Sequence, residues 1–358
     1  MSQPRFAVVG ATGAVGREMI SVLVERGLPL EDIRLLASSR SAGMDVDVDG
    51  TSVTVEELKP DSFRGIDIAL FSAGGSVSKE FAPHAVEAGT IVIDNSSAFR
   101  MDDAIPLVVP EVNGRELREI LRKLPKDRGL IIANPNCSTI QLVVVLKPIL
   151  ERAGLKRVVV STYQSVSGAG QKGLDELWDQ SLALFNQQEL PIKKFPHQIA
   201  FNVIPHIDDF ESNGYTKEEM KVVRESRKIL SKADLRITAT AVRVPVFYSH
   251  SESVNIETEK PLSADEVKAL LHESPGVIVS DEPSAKTYPL ATTAAGTDAT
   301  YVGRIRKDES VDNGLNMWIV ADNIRKGAAL NAVQIAEIVM NERYSSQDTP
   351  SERNIAQA

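Results

Sequence analysis

Along the first third of the chain, short apolar runs alternate with stretches of helical spacing. Arg5–Val9 is mostly apolar and feeds into Gly10-Ala11-Thr12-Gly13-Ala14-Val15-Gly16. From Val15 to Glu25, Met19, Val22 and Leu23 recur at helical intervals, and the pattern stops near Gly27 and Pro29. Ile33–Leu36 predicts the next strand, so the chain opens as a β-loop-α-β unit. Met44–Val48 and Ser52–Val55 flank Asp49-Gly50, a dipeptide suited to a tight hairpin. Ile66–Phe71, Thr90–Ile93 and Leu130–Ile132 continue the strand series, with helices predicted over Val77–Ala88 and Gly114–Leu124. Strands alternating with helices predict an α/β Rossmann domain, a doubly wound, mostly parallel sheet covered on both faces.

After about residue 155 the pattern changes. Arg157–Gln164, Leu235–Val244, Ser251–Thr258, Thr300–Arg306 and Gly314–Ala321 are longer and alternate in polarity, with helices predicted at Gln171–Phe185, Lys217–Leu230 and Ala264–Leu271. Two-faced strands of this kind predict a second, α+β domain built on a largely antiparallel sheet with helices on one side. Residues 281–299, rich in Thr, Ala, Gly and Pro, read as a long irregular segment. Lys326–Asn341 is apolar at helical spacing and is expected to pack back on the first domain. The expected division is 1–133 with 326–345 as a nucleotide-binding domain, 134–325 as a catalytic and dimerisation domain, and 346–358 as a polar tail.

Composition narrows the class. The 358 residues carry 40 Lys and Arg against 49 Asp and Glu, a net charge of −9, which disfavours a non-specific grip on nucleic acid or anionic lipid. One cysteine excludes an intramolecular disulfide and a cysteine-cluster metal site, and no metal site is expected. No stretch approaches the roughly 18 consecutive apolar residues of a membrane span. With no secretory signal evident, the chain reads as cytoplasmic.

The glycine loop follows a strand and opens a helix, the context in which a backbone approaches a pyrophosphate at a helix N-terminus. Gly10, Thr12, Gly13, Ala14 and Val15 are therefore candidate cofactor contacts; the alternative is a structural turn with no ligand. An NAD site places an acid about 20 residues on. Here the second strand ends in Ala37-Ser38-Ser39-Arg40-Ser41, and Ser38, Arg40 and Ser41 suit a 2′-phosphate, favouring NADP over NAD. Ser72-Ala73-Gly74-Gly75 is a second place for the backbone to pass close to the dinucleotide.

The single cysteine lies in Asn134-Pro135-Asn136-Cys137-Ser138-Thr139, between a strand and an apolar run. Pro135 holds Asn134 extended, and Ser138 or Thr139 is expected to cap the following helix. A thiol at a helix N-terminus is easier to ionise, and the backbone there, with Asn136, would hold an oxyanion. Beside NADP, a nucleophilic cysteine implies acyl chemistry through a thioester. The other reading is an inert buried cysteine.

These segments resemble the aspartate-semialdehyde dehydrogenase family of the bacterial type, from about residue 5 to 345. The resemblance is carried by Asn134–Thr139, the glycine loop, Asp94-Asn95-Ser96-Ser97-Ala98-Phe99-Arg100-Met101, Gln164-Ser165-Val166-Ser167-Gly168-Ala169-Gly170, and Arg243-Val244-Pro245-Val246 leading to His250-Ser251. It implies reductive dephosphorylation of L-4-aspartyl phosphate by NADPH to L-aspartate 4-semialdehyde and phosphate, on the route to lysine (through diaminopimelate), methionine, threonine and isoleucine. It also implies a homodimer or a dimer of dimers. By the same resemblance Cys137 is the nucleophile, His250 the acid/base group, and Gln164 orients the substrate. Arg243 pairs with the substrate carboxylate and Glu218 with its ammonium, while Arg100 and Lys221 form the phosphate pocket. Ser167, Gly168 and Asn323 touch the cofactor.

Read alone, Glu218 and Lys221 would be a solvated helix face, Arg100 a loop cap, Asn323 a helix cap, and any of the five histidines structural. Many relatives have glycine where this chain has Ser249. The alternatives are an N-acetyl-γ-glutamyl-phosphate reductase type, a glyceraldehyde-3-phosphate dehydrogenase, or a catalytically silent NADP-binding scaffold.

Overall fold

The structure, a computed structural model, describes residues 3–344. The polar tail expected at 346–358 lies outside them. The chain divides into two compact units, one running to Asn136 and resuming at Ala328, the other spanning Cys137–Gly327.

The first unit runs β1 (Phe6–Val9), α1 (Ala14–Glu25), β2 (Arg34–Ala37), β3 (Asp45–Val48), β4 (Thr51–Thr54), β5 (Glu56–Glu57), β6 (Ile68–Phe71), α2 (Gly75–Glu87), β7 (Ile91–Asp94), α3 (Pro110–Lys123) and β8 (Leu130–Ala133). Six strands lie parallel in the order β5-β2-β1-β6-β7-β8. The period of two along β1 explains why both faces need cover. Phe6 and Val8 join a core with Met19 and Leu23 of α1, whereas Ala7 and Val9 join Ala82 and Ala85 of α2. The β3–β4 hairpin turns through Asp49 and Gly50, with φ of 51° and 76°, the left-handed pair that matches strand twist. Chain order reverses between β1 and β6, which is where a doubly wound sheet opens a crevice at its carboxyl edge.

The second unit runs α4 (Cys137–Ala153), β9 (Leu155–Gln164), α5 (Gln171–Phe185), α6 (Lys217–Ile229), β10 (Arg236–Arg243), β11 (His250–Thr258), α7 (Ala264–His272), β12 (Val277–Val279), α8 (Ala291–Ala294), β13 (Thr300–Asp308) and β14 (Gly314–Ala321). Its sheet is ordered β10-β9-β11-β14-β13-β12. The three central pairings are antiparallel, and the two outer ones, β10 with β9 and β12 with β13, are parallel. Helix α4, with Ile140–Leu146 buried all round, lies against β9, β11, β13 and β14, while α6 covers β10. Val158, Val160, Thr162 and Gln164 of β9 are buried, whereas Tyr163 on its other face is exposed.

Three local differences from the sequence reading have physical causes. Strand β12 has three residues, too few for a readable alternation. The irregular stretch 281–299 holds a 3₁₀ turn at Pro283–Ala285 and one α-helical turn, α8. The last helix, α9 (Leu330–Arg343), starts later than expected because Arg325–Ala329 winds as a wider π-turn. It returns to the first unit beside α1 and α3. Among the described residues no helix is long and apolar enough to cross a membrane.

Candidate active site

In the first unit the glycine loop is shaped by exclusion. Gly10 has φ of 84°, and a Cβ there would meet Ser72 Oγ at 2.9 Å and the Ala73 nitrogen at 3.0 Å. A Cβ on Gly16 would stand 2.2 Å from the Gly10 carbonyl oxygen, so that helix α1 packs directly onto the loop. Gly13 is the N-cap of α1, and no acid occupies the first turn. Thr12 Oγ1 donates to Ser41 Oγ at 3.3 Å, joining the loop to the turn after β2. That turn carries exposed Ser38 and Arg40 and no carboxylate. A phosphate-bearing dinucleotide fits this cradle: two glycines clear the backbone, a helix N-terminus faces it, and hydroxyls plus a guanidinium stand where an acid would repel a 2′-phosphate.

The loop after β8 is held by Asn134, whose Nδ2 donates to Asn95 Oδ1 at 2.7 Å and whose Oδ1 accepts from Asn331 at 2.6 Å. Asn136 is buried in that loop, and Arg100 is buried with Nη2 donating to the Asn95 carbonyl at 2.8 Å. Asp94 anchors the segment between them, accepting from Ser78 and Ser96.

In the second unit Cys137 is the first residue of α4 and is half-buried. Helix α4 begins at Cys137, so Ser138 and Thr139, expected from sequence to be caps, lie inside its first turn. Sheet register places Gln164 beside Arg243 and puts His250 on the neighbouring strand. Gln164 Nε2 donates to Glu218 Oε1 at 3.3 Å, and the other Glu218 oxygen accepts from Lys221 at 3.1 Å. Lys221 also donates to Asp208 at 2.7 Å. Burial opposes the Lys221 charge, but Glu218 and Asp208 outweigh it and hold the ammonium above its ordinary range. Glu218 is buried, so the pair is not the solvated face that its spacing alone would allow. Thr216 starts α6 with a reciprocal capping box to Glu219, which fixes where Glu218 and Lys221 fall.

Arg243 is buried, which weakens its hold on a proton, while Glu218 and Cys137 both favour its charge. A Cys137 thiolate and this guanidinium therefore stabilise one another. Its one hydrogen bond among the described residues runs from Nη1 to the Ser165 carbonyl at 2.6 Å, and Phe195 lies under it with 5.9 Å to the ring centre. A Cβ on Gly168 would sit 3.0 Å from Arg243 Nη1 and 3.4 Å from His250 Nε2, so glycine keeps the space between them open.

His250 is fully buried. Its Nδ1 accepts from the Ser165 amide at 3.1 Å and lies 3.1 Å from Ser165 Oγ, and its Nε2 has no hydrogen-bond partner among the described residues. Behind it, Asn323 Oδ1 accepts from the Ser165 hydroxyl, the Ser167 hydroxyl and the Ser249 amide at 3.0, 3.1 and 2.9 Å. Asn323 is thus no helix cap. Asp322 fills that role, accepting from the amides of Ile324 and Arg325. Burial first and Arg243 second push His250 down to about 3, against the Ser249 carbonyl, which favours charge.

Sequence reading missed four contributors. Ser165 lies inside a segment the resemblance had marked. Asp208 is one of an acid pair ahead of α6. Glu176 and Gln180 are polar positions on the buried face of α5, a signal readable in principle. Glu176 accepts from the amides of Lys193, Lys194 and Phe195, and Gln180 from those of Ile199 and Ala200. Together they tie down the segment that brings Phe195 under Arg243.

A glycine-cradled dinucleotide site, and a cysteine at a helix N-terminus beside a buried arginine, define an NAD(P)-dependent oxidoreductase of the semialdehyde dehydrogenase class. Residues 5–120 match the semialdehyde dehydrogenase NAD binding domain, and residues 146–326 match the semialdehyde dehydrogenase dimerisation domain. The chain belongs to the aspartate-semialdehyde dehydrogenase family. It is 56% identical over 340 residues to the aspartate-semialdehyde dehydrogenase of Aquifex aeolicus, covering 94% of this chain and 98% of that one. Aspartate semialdehyde dehydrogenase II from Vibrio cholerae, complexed with ASA, superposes with a TM-score of 0.90 at 47% identity, covering 96% of this chain and all of the other. The Candida albicans enzyme with NADP superposes at 0.75 with 26% identity, covering 95% and 99%.

Proposed function

We propose that this chain performs the NADPH-dependent reductive dephosphorylation of L-4-aspartyl phosphate to L-aspartate 4-semialdehyde and phosphate, through a Cys137 thioester. The observation that carries the residue assignments is the convergence of Arg243, Gln164, Glu218 and His250 within one unit that begins at Cys137. NADPH, when bound, supplies the hydride. Gly10, Thr12, Gly13, Ala14 and Val15 would hold its pyrophosphate and Ser38, Arg40 and Ser41 its 2′-phosphate, with Ser167, Gly168 and Asn323 toward its reactive end.

Cys137, eased toward thiolate by the helix N-terminus and Arg243, attacks the acyl carbon. Asn136 and the helix amides would stabilise the oxyanion, and His250 would serve as the acid/base group. Arg243 has guanidinium nitrogens left for a planar carboxylate, and the Glu218 carboxylate, steadied by Gln164 and Lys221, suits the substrate ammonium. Arg100 and Lys221 would receive the departing phosphate. The named relatives act on aspartate semialdehyde, which favours this reading over the N-acetyl-γ-glutamyl-phosphate type.

We infer a cytoplasmic homodimer or dimer of dimers associating through the second unit. That unit exposes Trp178, Phe185, Phe201 and Tyr248, and its matched family domain is described as a dimerisation domain. Incubating the protein with aspartate semialdehyde, phosphate and NADP⁺ tests the function: nicotinamide reduction is expected, and none from well-folded protein would overturn it. Sedimentation tests the assembly, and a monomer at micromolar concentration would overturn that part.

A further inference from the structure

We propose that Asp208 is a displaceable counterion of the phosphate subsite: it holds Lys221 and yields that ammonium to an arriving phosphate dianion. The inference rests on the phosphate role of Lys221 proposed above and deepens it. Lys221 Nζ donates to two carboxylates, Asp208 Oδ2 at 2.7 Å and Glu218 Oε2 at 3.1 Å. One cation between two anions leaves the cluster negative, which repels a dianion. Phosphate therefore gains Lys221 only if one carboxylate lets go.

The two carboxylates are not held alike. Glu218 lies on the same helix as Lys221, is buried, and its other oxygen accepts from Gln164 at 3.3 Å. Turning it away would break that contact and leave a charge among packed groups. Asp208 stands on the loop ahead of α6 with its side chain 33% exposed. Its other oxygen accepts from the adjacent Asp209 amide at 2.9 Å. An ion pair this open to water is weak and exchanges readily. Burial opposes the Asp208 charge, but Lys221 and the Asp209 amide outweigh it, so an ionised group is what leaves.

The loop itself is pinned. The Asp209 carbonyl accepts from the Lys217 amide at 2.8 Å, and its carboxylate accepts from Lys217 Nζ at 2.7 Å. Asp208 holds φ of 69°, a left-handed conformation that Asp and Asn adopt more often than most residues. Rotation of its side chain alone thus moves the carboxylate from Lys221 into water while the backbone stays in place. A dianion wins the exchange because it brings more charge and more acceptor oxygens. When phosphate departs the carboxylate returns, so the subsite holds phosphate loosely and its release has a replacement at hand.

Asp208→Asn keeps the shape, an acceptor oxygen and the left-handed backbone while removing the charge. Initial rates in the aldehyde-oxidising direction, with inorganic phosphate varied, should give a phosphate KM about fivefold lower, or about 1 kcal/mol, with the KM for NADP⁺ unchanged. An unchanged or higher phosphate KM would mean that Asp208 merely positions Lys221 and would overturn the proposal. Should the variant not fold, the native protein crystallised with phosphate carries the test. Asp208 is expected off Lys221 with phosphate in its place, and an intact pair beside bound phosphate would overturn it. Lys221→Met separates the two readings. An unchanged phosphate KM there would defeat the phosphate pocket itself, whereas a large rise there with no effect of Asp208→Asn would defeat the counterion alone.

Discussion

Arg243 and Ser165 are joined by a 2.6 Å hydrogen bond from the guanidinium to the backbone carbonyl, and the amide of that same serine donates to His250. One peptide unit on each side of Ser165 therefore sets the position of both groups. On the roles proposed for Arg243 and His250, substrate recognition and acid/base chemistry share a single piece of backbone.

Arg243→Leu should raise KM for the acyl substrate about 10–100-fold, the worth of a charge-assisted contact of about 1.5–3 kcal/mol. Cofactor KM should stay unchanged. Arg243→Lys should rescue little, because a point charge supplies neither the two-pronged contact nor the planar group over Phe195. Arg40→Glu, in contrast, should raise KM for NADP alone. Initial-rate kinetics with both substrates varied checks the pair, and identical effects of Arg40→Glu and Arg243→Leu would merge the two subsites.

Cys137→Ala should abolish turnover and leave NADPH binding intact, measured by nucleotide fluorescence titration. The glycine loop proposed to hold the dinucleotide lies far from Cys137 in sequence, and its shape depends on Gly10, Gly16 and Ser72. Appreciable residual activity would rule out the covalent route.

Ser249 adopts φ of 71°, a left-handed conformation that costs a residue with a side chain about 1–2 kcal/mol. Its Oγ is also buried without a hydrogen-bond partner. Ser249→Gly removes both penalties but gives the unfolded chain more freedom, worth about 0.4–1 kcal/mol. A net gain of about 1 kcal/mol in unfolding free energy is expected in denaturant titration. A loss of stability would mean that the hydroxyl is satisfied in solution.

Glu252 follows His250 by two residues on β11 and is fully buried, with neither oxygen meeting hydrogen-bond geometry. Burial holds its carboxyl protonated well above the ordinary 4.5, with Gln141 as a weak opposing influence. Above pH 4.5 the unfolded chain releases this proton while the folded chain keeps it, so Glu252 lowers stability as pH rises toward its folded value. His250 works oppositely: the unfolded ring binds a proton below 6.5, the folded one only near 3, so its contribution is lost as pH falls through that interval. Above 4.5, and below both 6.5 and the folded value of Glu252, the two slopes oppose one another. Glu252→Gln removes one of them, so its stability relative to the native protein should climb by about 1.4 kcal/mol per pH unit from 4.5 until the folded value of Glu252 is reached. A difference that does not vary with pH would show Glu252 ionised in the fold.

Neighbours along the chain were enough to specify the elements and the local chemistry. Parallel strands buried on both faces read as continuous apolar runs, and the period of amphipathic helices located α5 to the residue. The glycine loop, the missing acid after β2 and the polar setting of Cys137 were legible because each is made by neighbours in the chain. Partnerships across long separations were not. Ser165 and His250 stand 85 residues apart, and Lys221 and Asp208 meet only because the chain between them folds back ahead of α6. Sequence periodicity tells a strand which face to bury but not which strand lies beside it, so the register that sets Gln164 against Arg243 had to come from the sheet. The strain at Ser249 and the protonated state of Glu252 are likewise tertiary. Each depends on what packing excludes, namely water, and on which donors packing supplies in its place.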